Sequence, residues 1–197
     1  MKDSCILLER GICMVLTNEE AKQFYKLWIP LLDFVNQKYK INRNLFGMTS
    51  PIGLPIIEIR KISEKLWDDK RVIDEYILSG FKALDEEETE IVSSWKRAVR
   101  GGFIVDRHLW DGSVLISIEN SEVYIVKGIV SSWREILEGF PMPQAVEATL
   151  IPFGNVIIFD GIITSSSSRV CLSRNMSEQS KQIYLNAKKN GKLHYCL

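Results

Sequence analysis

Residues 145–164 read AVEATLIPFGNVIIFDGIIT. β-branched and aromatic side chains dominate the two apolar runs on either side of Pro152-Phe153-Gly154-Asn155, and a second turn signal, Asp160-Gly161, follows Phe159. Such runs, bounded by turn-forming residues, read as two buried antiparallel strands with a tight reversal between them and a bend after Phe159. This is the most apolar part of the chain, so the core is expected to be built on it.

Upstream, the hydrophobic period changes. From Ala21 to Tyr39 apolar residues recur at helical spacing (Phe24, Leu27, Trp28, Leu31, Leu32, Val35) behind a capping box at Thr17–Glu20. Pro30 lies inside this stretch and predicts a kink. Further helices are expected over 56–67, over 69–79 with Gly80 as C-cap, and from an Asp85 cap to Arg100. Strands then follow: 103–109 and 113–119 around Asp111-Gly112, and 122–127 after Asn120-Ser121. A short helix opens at Ser131-Ser132 and covers 133–137. A last helix contains Ile183, Tyr184 and Ala187, and LHYCL at the end suits an edge strand.

Helices first and strands second give an α+β class. The expected architecture is an N-terminal helical half (1–100) packed on a C-terminal antiparallel half (101–197). That second half would be a strongly bent sheet or a partly open small barrel, and the two halves one continuous structure.

Charge is balanced at 25 basic and 25 acidic residues, which argues against a dedicated nucleic-acid binder. No run approaches the roughly 20 apolar residues of a membrane span. Met1 to Thr17 lacks a small-residue cleavage site, so a cytoplasmic location is expected. The four cysteines, Cys5, Cys13, Cys171 and Cys196, form no CxxC pair and read as reduced thiols. A metal site from Cys5, Cys13, His194 and Cys196 would need both termini together at spacings foreign to zinc, so no metal or cofactor is expected.

Four stretches together resemble an uncharacterised family of bacterial proteins, mainly from Firmicutes: FYKLWIPLLDFVNQKYKI (24–41); KLWDD (65–69) with VIDEYI (72–77); IVSSWKRAVRGGFIVDRHL (91–109); and LIPFGNVIIFDGII (150–163) with the later YLNAKKNGKL (184–193). The resemblance runs from about residue 17 to the end, and LIPFGNVIIFDG is its most specific piece. Asn155 departs from the basic residue expected there. The family has no assigned activity, so the resemblance implies no catalytic or binding residue.

The candidate chemistry is sparse. Asp106 and His108 alternate onto one strand face and form the only Asp–His pair a nucleophile could use, but no GxSxG element accompanies them. Asp160 and Glu147 both interrupt apolar strands, and Asp160-Gly161 is explained by a turn. Phosphate-cradling motifs are missing. Arg169, Arg174, Lys181, Lys188, Lys189 and Lys192 make the C-terminal segment basic, a surface for phosphates or simply a solvated helix face. The first expectation is therefore a non-catalytic binding or regulatory module with a protein partner. Nucleic-acid binding through the basic C-terminal helix is the second. An enzyme using Asp106, His108 or Asp160 in a cleft between the halves is the third.

Overall fold

The computed structural model describes residues 14–50, 53, 55–165 and 174–197. The chain divides into two compact units, an α unit spanning Glu19–Ala98 and a β unit formed by the described residues before Glu19 together with Val99–Leu197. Among the described residues no helix is long and apolar enough to cross a membrane.

In the α unit, helix α1 (Asn18–Tyr39) runs unbroken through Pro30. Its apolar stripe is the one the spacing predicts, with Phe24, Leu27, Leu31, Leu32 and Val35 fully buried. Trp28 lies at the centre of an aromatic cluster, with ring centroids 5.8 Å from Phe24, 5.7 Å from Trp67 and 5.5 Å from Trp95. Burying side chains of this size contributes roughly 1.5–3 kcal/mol each. Helix α2 (Ile56–Asp68) and helix α3 (Arg71–Ser79) follow closely the expected spans. Helix α4 (Glu86–Ser94) starts at Asp85, whose side chain accepts from the Glu88 amide in a capping box. The helical period was read through to Arg100. The chain instead tightens into a 3-10 turn at Trp95–Arg97, and β1 begins at Val99.

Two polar side chains on the buried face of α1 fasten the loop after it. Asn36 Oδ1 accepts from Asn42 N (2.8 Å) and its Nδ2 donates to Asn42 O (2.9 Å). Asp33 accepts from Gly47 N and from Gln37 Nε2, both at 2.9 Å. A helix-facing Asn or Asp is tolerated when its capacity is filled in this way.

The β unit is one six-stranded sheet of β1 (Val99–Leu109), β2 (Gly112–Ser117), β3 (Val123–Val126), β4 (Gln144–Phe153), β5 (Val156–Ser165) and β6 (Leu193–His194), in the order β2-β1-β4-β5-β3-β6 with β2 also paired to β3. The deciding hairpin is as read: Phe153 pairs with Val156 around Gly154-Asn155, and Gly154 takes φ +55°, which a two-residue hairpin turn requires. Leu150, Ile157 and Phe159 are all buried.

The structure corrects two expectations. The sheet is mixed, because β3 runs parallel to both β5 and β6. It is also not a barrel. β3 gives Val123 and Tyr124 to β6, and only Val126 reaches β5, at Ile157. The bend expected after Phe159 is present as a bulge inside β5 at Asp160-Gly161, with Ala148 opposite Ile163 and Leu150 opposite Phe159, and Gly161 at φ +85°.

Both sheet faces are covered. The inner face holds Phe103, Val105, Leu115, Tyr124, Leu150, Ile157 and Phe159, with Trp133 from α5 (Trp133–Ile136) packed among them. The outer face of β1–β3 (Val114, Ile116, Val123, Ile125) receives Tyr184, Ile183 and Ala187 of α6 (Arg174–Lys189). That double coverage explains why all of β2 is buried.

Candidate functional site

The expected Asp106–His108 pair does not form. β1 carries a bulge between Val105, opposite Leu115, and Arg107, opposite Val114, and Asp106 is the extra residue. The bulge resets the alternation, so His108 leaves the α6 side of the sheet. Its Nδ1 lies 2.7 Å from the Oγ of buried Ser113, directly across the ladder. Burial, and then the charge of Arg134, push the imidazole below its ordinary pKa. The Asp106 side chain is 4% exposed. It accepts from Ser180 Oγ of α6 (2.6 Å) and from Arg107 Nε (2.6 Å). The Arg107 guanidinium lies 4.4 Å from the centre of the Tyr184 ring. Asp106 therefore anchors α6 to β1.

Asp160 is buried and accepts from the Ile162 amide at 3.0 Å, closing its own turn. Glu147 is exposed opposite Thr164, away from the bulge. The three candidates thus serve three separate structural tasks.

Of the basic set, Arg169 lies outside the described residues, as does the side chain of Arg174. Lys181, Lys188, Lys189 and Lys192 are exposed, with no ion pair among the described residues. Cys5 and Cys13 also lie outside the described residues. Cys196 is an exposed thiol, and His194 stacks on Tyr124 with centroids 5.1 Å apart. No group of three or more potential ligands stands together among the described residues.

A groove of about 710 Å³ beside β6, at the C-terminal end of α6, gathers polar side chains from separate segments of the chain. Its walls come from three segments. The β2–β3 turn supplies Asn120, Ser121 and Glu122; α6 supplies Ile183, Asn186 and Ala187; the closing stretch supplies Asn190, Lys192, Leu193 and His194. The volume falls within the roughly 300–1,000 Å³ of ordinary ligand clefts.

The turn wall is preorganised. Asn120 Oδ1 accepts from the Glu122 amide (3.1 Å), its Nδ2 donates to Glu122 Oε2 (3.1 Å), and the Tyr124 hydroxyl donates to that same oxygen. Ser121 is held at φ +60°, a conformation few non-glycine residues adopt. The Tyr124 hydroxyl, then Asn120 and the nearby His194, hold the Glu122 carboxyl below the usual range. Burial, and then that carboxylate, push Tyr124 up. Glu122 is therefore an anion at neutral pH.

The opposite wall is idle by contrast. Asn186 on α6 and Asn190 just after its last residue are exposed, and neither side chain is hydrogen-bonded among the described residues. β6 is the last strand in the sheet order, and no described strand pairs with its outer edge. From the sequence, Lys192 and His194 point to other chemistry, and Asn120 reads only as a turn residue.

No protein-family model, curated protein or solved structure matches this chain.

Proposed function

We propose that the β unit is a non-catalytic binding module that holds an extended segment of a protein partner. The observation that carries this reading is the unpaired outer edge of β6, whose residues Leu193 and His194 also line the groove. An open strand edge is a template for strand addition, in which main-chain hydrogen bonds supply affinity and flanking pockets supply selectivity. Asn186 and Asn190 suit that occupant, since each amide offers one donor group and one acceptor, the complement of a peptide group. The structural tasks of Asp106, His108 and Asp160 support the non-catalytic part.

A second reading is nucleic-acid binding along α6, favoured by its exposed lysines. Against it stands the charge balance of the chain, 25 basic against 25 acidic residues, where a dedicated binder carries a net basic domain.

The test is selection of random peptides by display on the full chain, followed by 15N NMR of the bound state. A selected peptide should perturb the Leu193 and His194 amides. It should bind at least tenfold more weakly to the double variant Asn186→Ala, Asn190→Ala, at unchanged stability. No enrichment, or affinity indifferent to those variants, rejects the reading. Tight binding of a random-sequence RNA with a steep salt dependence would transfer it to the lysine face.

A further inference from the structure

The chain leaves α6 through Asn190-Gly191, the one Asn-Gly step in the sequence. Both residues are exposed. Gly191 takes φ +64°, and its amide donates to Lys188 O at 3.3 Å. That is longer than the roughly 2.9–3.0 Å usual for such bonds, so the nitrogen is lightly held. The Asn190 side chain lines the groove and makes no hydrogen bond among the described residues. A carboxamide so placed has one adjacent nucleophile, the main-chain nitrogen of the residue that follows. Glycine there carries no Cβ to crowd the approach. Lys188, Lys189 and Lys192 are exposed and make no ion pair among the described residues. Their positive charge favours loss of the Gly191 amide proton.

The other two asparagines of the groove show the contrast. Asn120 also precedes a small residue, Ser121, but its side chain is held. Its Oδ1 accepts from Glu122 N and its Nδ2 donates to Glu122 Oε2, both at 3.1 Å. Asn186 lies inside α6, and the amide of Ala187 after it belongs to the helical ladder.

We propose that Asn190 is a site of spontaneous deamidation that turns part of the groove wall from amide to carboxylate. The deprotonated Gly191 nitrogen attacks Asn190 Cγ. The new C–N bond closes a five-membered succinimide, and the Cγ–Nδ2 bond breaks as ammonia leaves with the proton that the nitrogen gave up. Water then opens the ring at either carbonyl, which yields aspartate or isoaspartate. One water is consumed and one ammonia released, with no change of oxidation state. Both products add a second carboxylate to the groove that holds Glu122. Isoaspartate also adds a main-chain carbon between α6 and β6. Lys192 N donates to Ala187 O at 2.8 Å, and Leu193 pairs with Val123 just beyond. Both contacts depend on the length of this turn, so the isoaspartate form displaces β6. The chemistry stands apart from the peptide-binding reading; only its effect on binding rests on that reading.

The test incubates the full chain in neutral buffer beside a sample unfolded in guanidinium chloride, and follows each asparagine by peptide mapping with mass spectrometry. Asn190 should convert in the folded chain within tenfold of its unfolded rate, to a mixture of aspartate and isoaspartate. Folded Asn120 and Asn186 should convert at least tenfold more slowly than Asn190. The isoaspartate form, separated by ion exchange, should show severalfold faster hydrogen exchange at the Leu193 and His194 amides than Asn190→Asp, which carries the charge without the added carbon. No peptide ligand is used, so a failed groove does not touch this result. Protection of folded Asn190 beyond tenfold, or a rate at Asn120 or Asn186 within tenfold of it, would overturn the proposal. Aspartate without isoaspartate would overturn the ring-closing route. Equal exchange in the isoaspartate form and in Asn190→Asp would overturn the displacement of β6.

Discussion

Asn36 in the α unit and Asn186 with Asn190 in the β unit put the same amide to opposite uses. Asn36 is fully buried, and both of its side-chain polar atoms are taken by the backbone of Asn42. Asn186 and Asn190 stand in water with nothing taken. A buried amide must be matched within the fold, because burial without a partner is costly, so Asn36 reports on architecture. An exposed amide has no such obligation and stays available to another molecule.

The strongest way to break the contrast is Asn36→Ala. It strands the amide and carbonyl of Asn42, and urea unfolding should show a loss of about 2–4 kcal/mol. The two groove variants should each stay within about 0.5 kcal/mol of the parent. A loss at Asn36 no larger than theirs would erase the distinction.

Asp106→Ala comes next. Removing the acceptor shared by Ser180 and Arg107 should cost about 1–3 kcal/mol. The damage should be local, with faster hydrogen exchange of α6 amides and unchanged protection in α1. Uniform protection loss across both units would show that Asp106 does more than fasten α6.

Glu122 provides the smallest effect and sharpens the comparison from inside the groove. Its folded pKa lies below the ordinary value near 4.3. Its contribution is therefore complete above about pH 4.3 and lost as pH falls through the folded pKa. Solvent screening keeps it small, since Glu122 is exposed. Unfolding midpoints of the parent should drop slightly more than those of Glu122→Gln between neutral pH and pH 3. Parallel curves would mean the Tyr124–Glu122 bond contributes nothing.

Much of the fold was legible because its signals are local. The 150–163 hairpin announces itself by β-branched runs around Gly154-Asn155. The caps at Asp85 and Ser132 follow from short-range hydrogen-bond chemistry, and both capping boxes are present. What escaped is non-local or written in a single backbone step. Ala98 and Val99 fit a helical stripe as well as the start of a strand, and only the pairing of Val99 with Leu150 decides. The parallel contacts of β3 join segments 30 and 70 residues apart, which no window of sequence displays. The groove was invisible for the same reason, since its walls come from a turn, a helix and a closing strand that meet only in the fold.

The bulge at Asp106 leaves the ladder in register on either side, Val105 with Leu115 and Arg107 with Val114, so Asp106 is one extra residue that displaces no neighbour from its face. Excising it would keep every other strand residue on its own side of the sheet and remove the carboxylate that Ser180 grips, while the apolar packing of Tyr184 stays. The sheet and the fastening of its covering helix are thus separable by a single residue.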